Sequence, residues 1–137
     1  MSSLALLDTD TLSEVMKGRD PNVQQNAQHY LTTYGQFRFS IITRYEILRG
    51  LKAKEALRQI AIFEDRCKRS YVYPVTDRII VQASDIYGFL HKQGLLISDA
   101  DILIAATALI HSLTLVTGNL DHFDRIPNLI SESWKSP

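Results

Sequence analysis

Short apolar runs alternate with helical stripes along this chain. Ala5–Leu7 is three aliphatic residues in a row, which reads as a strand buried on both faces. A helix is expected from Thr11 to about Lys17, stopped by Gly18 and the polar Arg19-Asp20-Pro21 turn. A polar helix over Asn22 to Tyr34 follows, closed by Gly35. Phe37 to Ile42, aromatic and β-branched, reads as a second strand, and Thr43 starts a helix with Tyr45, Leu48 and Leu51 at helical spacing. The next helix is expected from about Lys54 to Lys68, with Leu57, Ile60, Ala61 and Cys67 on one face. Val72–Val75 is a strand broken by Pro74, hence at a sheet edge. Asp77 looks like the cap of an amphipathic helix that carries Ile79, Ala83, Ile86 and Leu90 and ends at Gly94. Ser98 opens a helix that is apolar on all sides from Ile102 to Ile110 and so belongs deep in the core. Leu113–Val116 is a further buried strand ending at Thr117-Gly118-Asn119, and Ile130 to Trp134 offers a last one.

Strands that alternate with helices in this way predict an α/β fold: a mostly parallel central sheet covered by helices on both faces. Sites in such sheets form outside the carboxyl ends of the strands. A length of 137 residues suits one domain over the whole chain. Fifteen basic and fifteen acidic residues cancel, so bulk charge gives no footprint for nucleic acid or an anionic membrane. The lone Cys67 forbids an internal disulfide, suits a reducing cytosol, and reads as a small buried hydrophobe. No secretory leader is visible, and the most apolar stretch is about half the length a bilayer requires. A cytoplasmic protein is expected.

Four acidic or amide positions fall at strand ends or at the start of the helix beyond: Asp8, Glu46, the pair Asp99 and Asp101, and Asn119 with Asp121. Each also has a purely structural reading. Asp8 or Asp10 could cap the first helix. Thr43 and Glu46 have the spacing of a capping box, Ser98 and Asp101 come close to it, and Asn119 could sit in a left-handed turn. Their convergence on one sheet edge is what changes the balance. Clustered carboxylates repel unless one is protonated or a cation neutralises them. An all-oxygen cluster without zinc-type His spacing suits Mg2+ or Mn2+, and a hard cation at such an edge serves phosphodiester hydrolysis.

The segments "LLDTD", "SIITRYEILRG", "DADILIAATAL" and "LTLVTGNLDHFDRIPNL" resemble, in order and spacing, the PIN-domain ribonucleases, most closely the VapC toxins of type II toxin–antitoxin pairs. The resemblance runs from Leu6 to about Leu129. It implies a PIN-like α/β/α sandwich and metal ligands at Asp8, Glu46 and Asp101, with Asp99 and Asp121 as additional candidates. The fourth family position is Asn119 here, a weaker ligand than Asp, and Asp10 stands where the family usually has Asn. The resemblance further implies Mg2+- or Mn2+-dependent endonucleolytic cleavage of RNA, a homodimer, and inhibition by a small VapB-like antitoxin. Arg44 and Arg49 flank Glu46 and are the candidate RNA contacts.

Two alternatives remain at this level. The Asp8–Asp10 pair also resembles the opening motif of haloacid-dehalogenase-type phosphatases, but Leu12 stands where that family has Thr or Val, and no partner Lys is evident. A PIN-like module that binds RNA or a partner without cutting is kept open by Asn119 and Asp10.

Overall fold

A three-residue strand that is apolar throughout can be buried only if helices cover both sides of its sheet. The computed structural model, which describes residues 3–136, has that arrangement. Strand β1 (Ala5–Leu7) lies between β2 (Arg38–Ser40) and β4 (Thr114–Val116), with β3 (Tyr71–Tyr73) outside β2 and β5 (Ser131–Glu132) outside β4. All four pairings are parallel, and Ala5, Leu6 and Leu7 lie opposite Thr114, Leu115 and Val116. The chain builds outward from β1 to β2 and β3, then returns to place β4 on the other flank of β1. The winding therefore reverses between β1 and β4, and the crevice beyond their carboxyl ends is where a site is expected.

The pleat sorts the two cores. Ala5, Leu7, Phe39 and Val116 pack against Leu12 of α1 (Thr9–Lys17), Val23, Ala27 and Tyr30 of α2 (Pro21–Tyr34), Phe63 of α4 (Leu57–Lys68), and Trp134. Leu6 and Leu115 point the other way, into Ile79, Ile86 and Leu90 of α5 (Asp77–Lys92) and Ile102, Ile104 and Ala105 of α6 (Asp99–Ile110). As its all-round apolar pattern requires, α6 is buried. Tyr30 is also buried, and its hydroxyl accepts from the Ala5 amide at 3.0 Å and donates to the Ala5 carbonyl at 3.3 Å. It thereby satisfies the backbone at the start of β1.

Several boundaries differ from those expected, for reasons visible in the caps. The helix after β2, α3 (Ile41–Ala53), begins two residues early because the Ser40 hydroxyl accepts from the Ile42 amide at 3.0 Å. Thr43 and Glu46 are thus inside the helix and form no capping box. Thr76 rather than Asp77 caps α5. Asn119 has φ −120°, outside the left-handed region, and precedes a short helix, α7 (Leu120–Phe123), that the pattern did not predict. On α4 the buried residue is Phe63, while Leu57 is 78% exposed, so the expected apolar face is misplaced. The strand broken by Pro74 is β3, at the sheet edge as expected. Among the described residues no helix is long and apolar enough to cross a membrane.

Candidate active site at the carboxyl edge of the sheet

Asp8 is the first residue after β1. Its amide donates to the Val116 carbonyl at 3.0 Å, tying the ends of β1 and β4 together. Its Oδ1 accepts from the Thr11 amide at 2.8 Å, so the residue is also the N-cap of α1. The side chain is 4% exposed. Burial pushes its carboxyl above the ordinary value. Hydrogen bonds from Thr117 and Thr11 pull it back, and the charge of Asp10 adds to the upward push.

Glu46 arrives from α3. Its Oε1 accepts from the Thr9 hydroxyl at 2.6 Å, and Thr9 is in turn 3.0 Å from the hydroxyl of fully buried Thr43. A carboxylate can only accept, so the Thr9 proton goes to Glu46 and Thr43 supplies the second bond. The other carboxylate oxygen faces Arg49 at 3.6 Å.

Asp101 lies in the first turn of α6, where its amide donates to the capping Ser98 hydroxyl at 3.2 Å. Burial raises its carboxyl first of all. A hydrogen bond from the Ser98 side chain to the carboxyl lowers it, the charges of Glu46 and Asp10 raise it further, and His122 lowers it. Asn119, after β4, donates its amide N–H to the Thr117 hydroxyl at 2.9 Å, and its side chain is 2.8 Å from His122 Nδ1.

The structure thus sets Asp8, Asp10, Glu46, Asp101, Asn119 and His122 along one edge. Within it, Asp10 acts on Asp8, and both Glu46 and Asp10 act on Asp101. Among the described residues no three His, Cys, Asp or Glu side chains are gathered tightly enough to hold one metal ion in this arrangement.

Asp99 stands apart, lining a hollow against Ile80 and Tyr87 of α5, and Asp121 is exposed. The two candidate arginines diverge. Arg49 faces Glu46, whereas Arg44 is clamped by both oxygens of Glu64 and also donates to Cys67 Sγ at 3.3 Å. Cys67 is half-buried with a polar partner, not the simple small hydrophobe expected.

The sequence did not reveal that Thr9, Thr43 and Thr117 hold the acids; Thr43 was expected only as a capping residue and Thr117 only as the end of a strand. For Thr9 and Thr117 the available signal was adjacency: each flanks a residue at the end of a parallel strand.

The chemistry of this edge fits a hard cation. Its donors are oxygens apart from His122, and burial and neighbouring acids both disfavour the charged forms of Asp8 and Asp101. None of the ion pairs among the described residues uses Asp8, Asp10 or Asp101. A divalent ion such as Mg2+ or Mn2+ would relieve that repulsion, with Asp8, Glu46 and Asp101 as the anionic ligands.

A parallel, doubly wound sheet with acids along its carboxyl edge is the architecture of the class that family comparison identifies. The PIN domain matches residues 5–129, and the chain belongs to the PIN-domain family. Within that family it is 35% identical over 124 residues to Ribonuclease VapC1 of Methanocaldococcus jannaschii, spanning 90% of this chain and 82% of that protein. It is 34% identical over 134 residues to Ribonuclease VapC2 of Haemophilus influenzae, spanning 94% and 96%. The DNA-bound VapBC structure from Salmonella typhimurium matches with a TM-score of 0.84 at 26% identity, over 96% of this chain and 99% of that one. VapBC2 of Rickettsia felis, bound to a promoter DNA fragment, matches at 0.82 and 25% identity, over 97% and 100%. The PIN assignment overturns the phosphatase alternative.

Proposed function

We propose that this chain is a metal-dependent endoribonuclease, the toxin of a VapBC-type toxin–antitoxin pair. The observation that carries the reading is the buried Asp8 at the β1–β4 crossover, on the same edge as Asp101 and Glu46, in none of the ion pairs among the described residues. Asp8, Glu46 and Asp101 would hold Mg2+ or Mn2+, with Asn119 adding a neutral oxygen and Asp99 and Asp121 lying outside the set. Bound there, the ion would supply activation of water for attack at phosphorus and stabilisation of charge on the phosphoryl oxygens. The protein's own part is positioning. Thr11 and Thr117 fix the Asp8 carboxylate, and the Thr43–Thr9 relay fixes Glu46. The buried floor beneath Asp8 limits water on that side.

The antitoxin partner follows from similar grounds. Solved relatives include toxin–antitoxin complexes, and this chain carries an apolar groove of about 440 Å³ among α1, α3 and α4. Its walls include Met16, Ile47, Leu51, Ala56 and Ile62. Such a groove suits one face of an amphipathic helix. A homodimer in the cytoplasm completes the proposal; the exposed Ile80, Val81, Tyr87 and Phe89 of α5 are apolar residues available for pairing.

The test is incubation of purified protein with labelled RNA in Mg2+ or Mn2+. Cleavage that EDTA and Asp8→Asn both abolish supports the nuclease. Intact RNA in every condition, with RNA or partner binding retained, would make the chain a non-cleaving member of the family.

A further inference from the structure

Among the described residues Tyr45 is the most exposed aromatic side chain, ahead of Tyr71, Tyr87 and Phe89. Phe37, Phe39, Phe63 and Phe123 are buried, but Tyr45 is 60% exposed on α3, immediately beside Glu46. Burial therefore does not account for its ring. Ile41, one turn earlier on the same stripe, is also exposed and extends the apolar strip toward the helix N-terminus. Arg49, one turn later, touches both neighbours. Its guanidinium carbon lies 5.1 Å from the centroid of the Tyr45 ring, and its Nη2 is 3.6 Å from Glu46 Oε2.

We propose that Tyr45 and Arg49 form a subsite for one unpaired nucleotide next to the acidic edge. The base stacks on the open face of the Tyr45 ring, and Arg49 pairs with the adjoining phosphate. The proposal rests on the ribonuclease reading above and says where its substrate is gripped.

Charge makes a cation at this place necessary. The net charge of the chain is zero, and the acids repel a phosphodiester, so approach depends on local cations. Arg44 cannot serve, because Glu64 already neutralises it. Lys52 also acts on Glu64. Arg49 is 58% exposed, and its pair with Glu46 is long and solvated, so exchange for a phosphate costs little. The aromatic partner sets the form of the ligand. In a duplex both base faces are covered by neighbouring pairs, whereas a loop or single strand can offer one to a protein ring.

The test measures binding apart from cleavage. The full chain carrying Asp8→Asn, in Mg2+, is titrated by anisotropy with a labelled unstructured RNA of about 12 nucleotides and with a duplex of equal length, across a salt series. Stacking of one base is worth about 1–3 kcal/mol, so adding Tyr45→Ala should weaken single-strand binding about 5- to 150-fold. The salt slope should stay the same, and Tyr45→Phe should keep the parental affinity. Adding Arg49→Ala should weaken binding and reduce the slope by about 0.7, the value for one lost single-strand phosphate contact. Duplex binding should not respond to Tyr45→Ala. Parental affinity and slope in both alanine variants would overturn the subsite while leaving the nuclease reading intact. A fall in mass by light scattering in Tyr45→Ala, with RNA affinity unchanged, would overturn it in favour of a protein contact. Failure of the parent to bind either RNA, while the wild type cleaves the same single strand, would overturn the subsite and leave the nuclease reading intact.

Discussion

Replacing Thr9 by Val removes one hydroxyl and almost no volume, so it probes the contact that holds Glu46. The lost bond joins Thr9 to a carboxylate at 2.6 Å, and its removal also strips fully buried Thr43 of the hydroxyl 3.0 Å away. Hydrogen bonds to charged groups contribute about 1.5–3 kcal/mol, and this one is only partly buried, so a loss of about 2 kcal/mol is expected. With an unfolding entropy of about 2.1 cal/mol/K per residue over 137 residues, the melting temperature should fall by about 7 °C. Glu46 would then choose its own rotamer, and groups that orient a metal-binding residue are worth about 10- to 100-fold in activity. Thermal unfolding and RNA cleavage on the same preparation provide the assay, with Thr9→Ser expected to restore both. If Thr9→Val melts as the wild type does and cuts at the full rate, the relay does not operate. A lowered melting temperature with full activity would make Thr9 a structural residue only.

Tyr30→Phe should destabilise the fold by about 1–3 kcal/mol, because the buried Ala5 amide loses its hydroxyl partner; denaturant unfolding measures it. Asp8→Asn should abolish cleavage yet raise the melting temperature at pH 7. The folded state holds the Asp8 proton more tightly than the unfolded chain, so the charged form destabilises above the raised pKa. That penalty vanishes as pH falls towards 3.8, and the gap between variant and wild type should close over the same window. Equal melting temperatures at pH 7 would remove the basis for this expectation. Arg44→Ala should leave cleavage within a few-fold of wild type, since Glu64 holds that guanidinium away from the acids; a loss beyond tenfold would place Arg44 on the substrate.

Much of the architecture was legible because the strands are short, apolar and followed by polar residues. Ala5–Leu7 running into Asp8 marked both a buried strand and the edge along which the candidate acids lie, and Ile102 to Ile110 declared its burial by its nearly continuous apolar run. The misplaced features have local causes. The start of α3 moved because Ser40 competes with Thr43 for the cap, and a pattern cannot rank two capping hydroxyls. The apolar face of α4 was misjudged because α4 borders an open groove, in which Ile62 stays exposed, while Leu57 faces solvent. The acids were visible as a set through their positions at strand ends, while the threonines that hold them depend on contacts spanning 34 and 37 residues. The same limit applied to Arg44: its partner, Glu64, lies on another helix, and the sequence between them says nothing of that pairing.

The most direct measurement is diffraction from crystals soaked in Mn2+, using the anomalous signal of the metal. A peak within about 2.0–2.3 Å of carboxylate oxygens of Asp8 and Asp101, with Glu46 turned from Thr9 or reaching it through water, is expected. A saturating soak that leaves this edge without a peak, or puts manganese only on scattered surface acids, would contradict the cation-holding site.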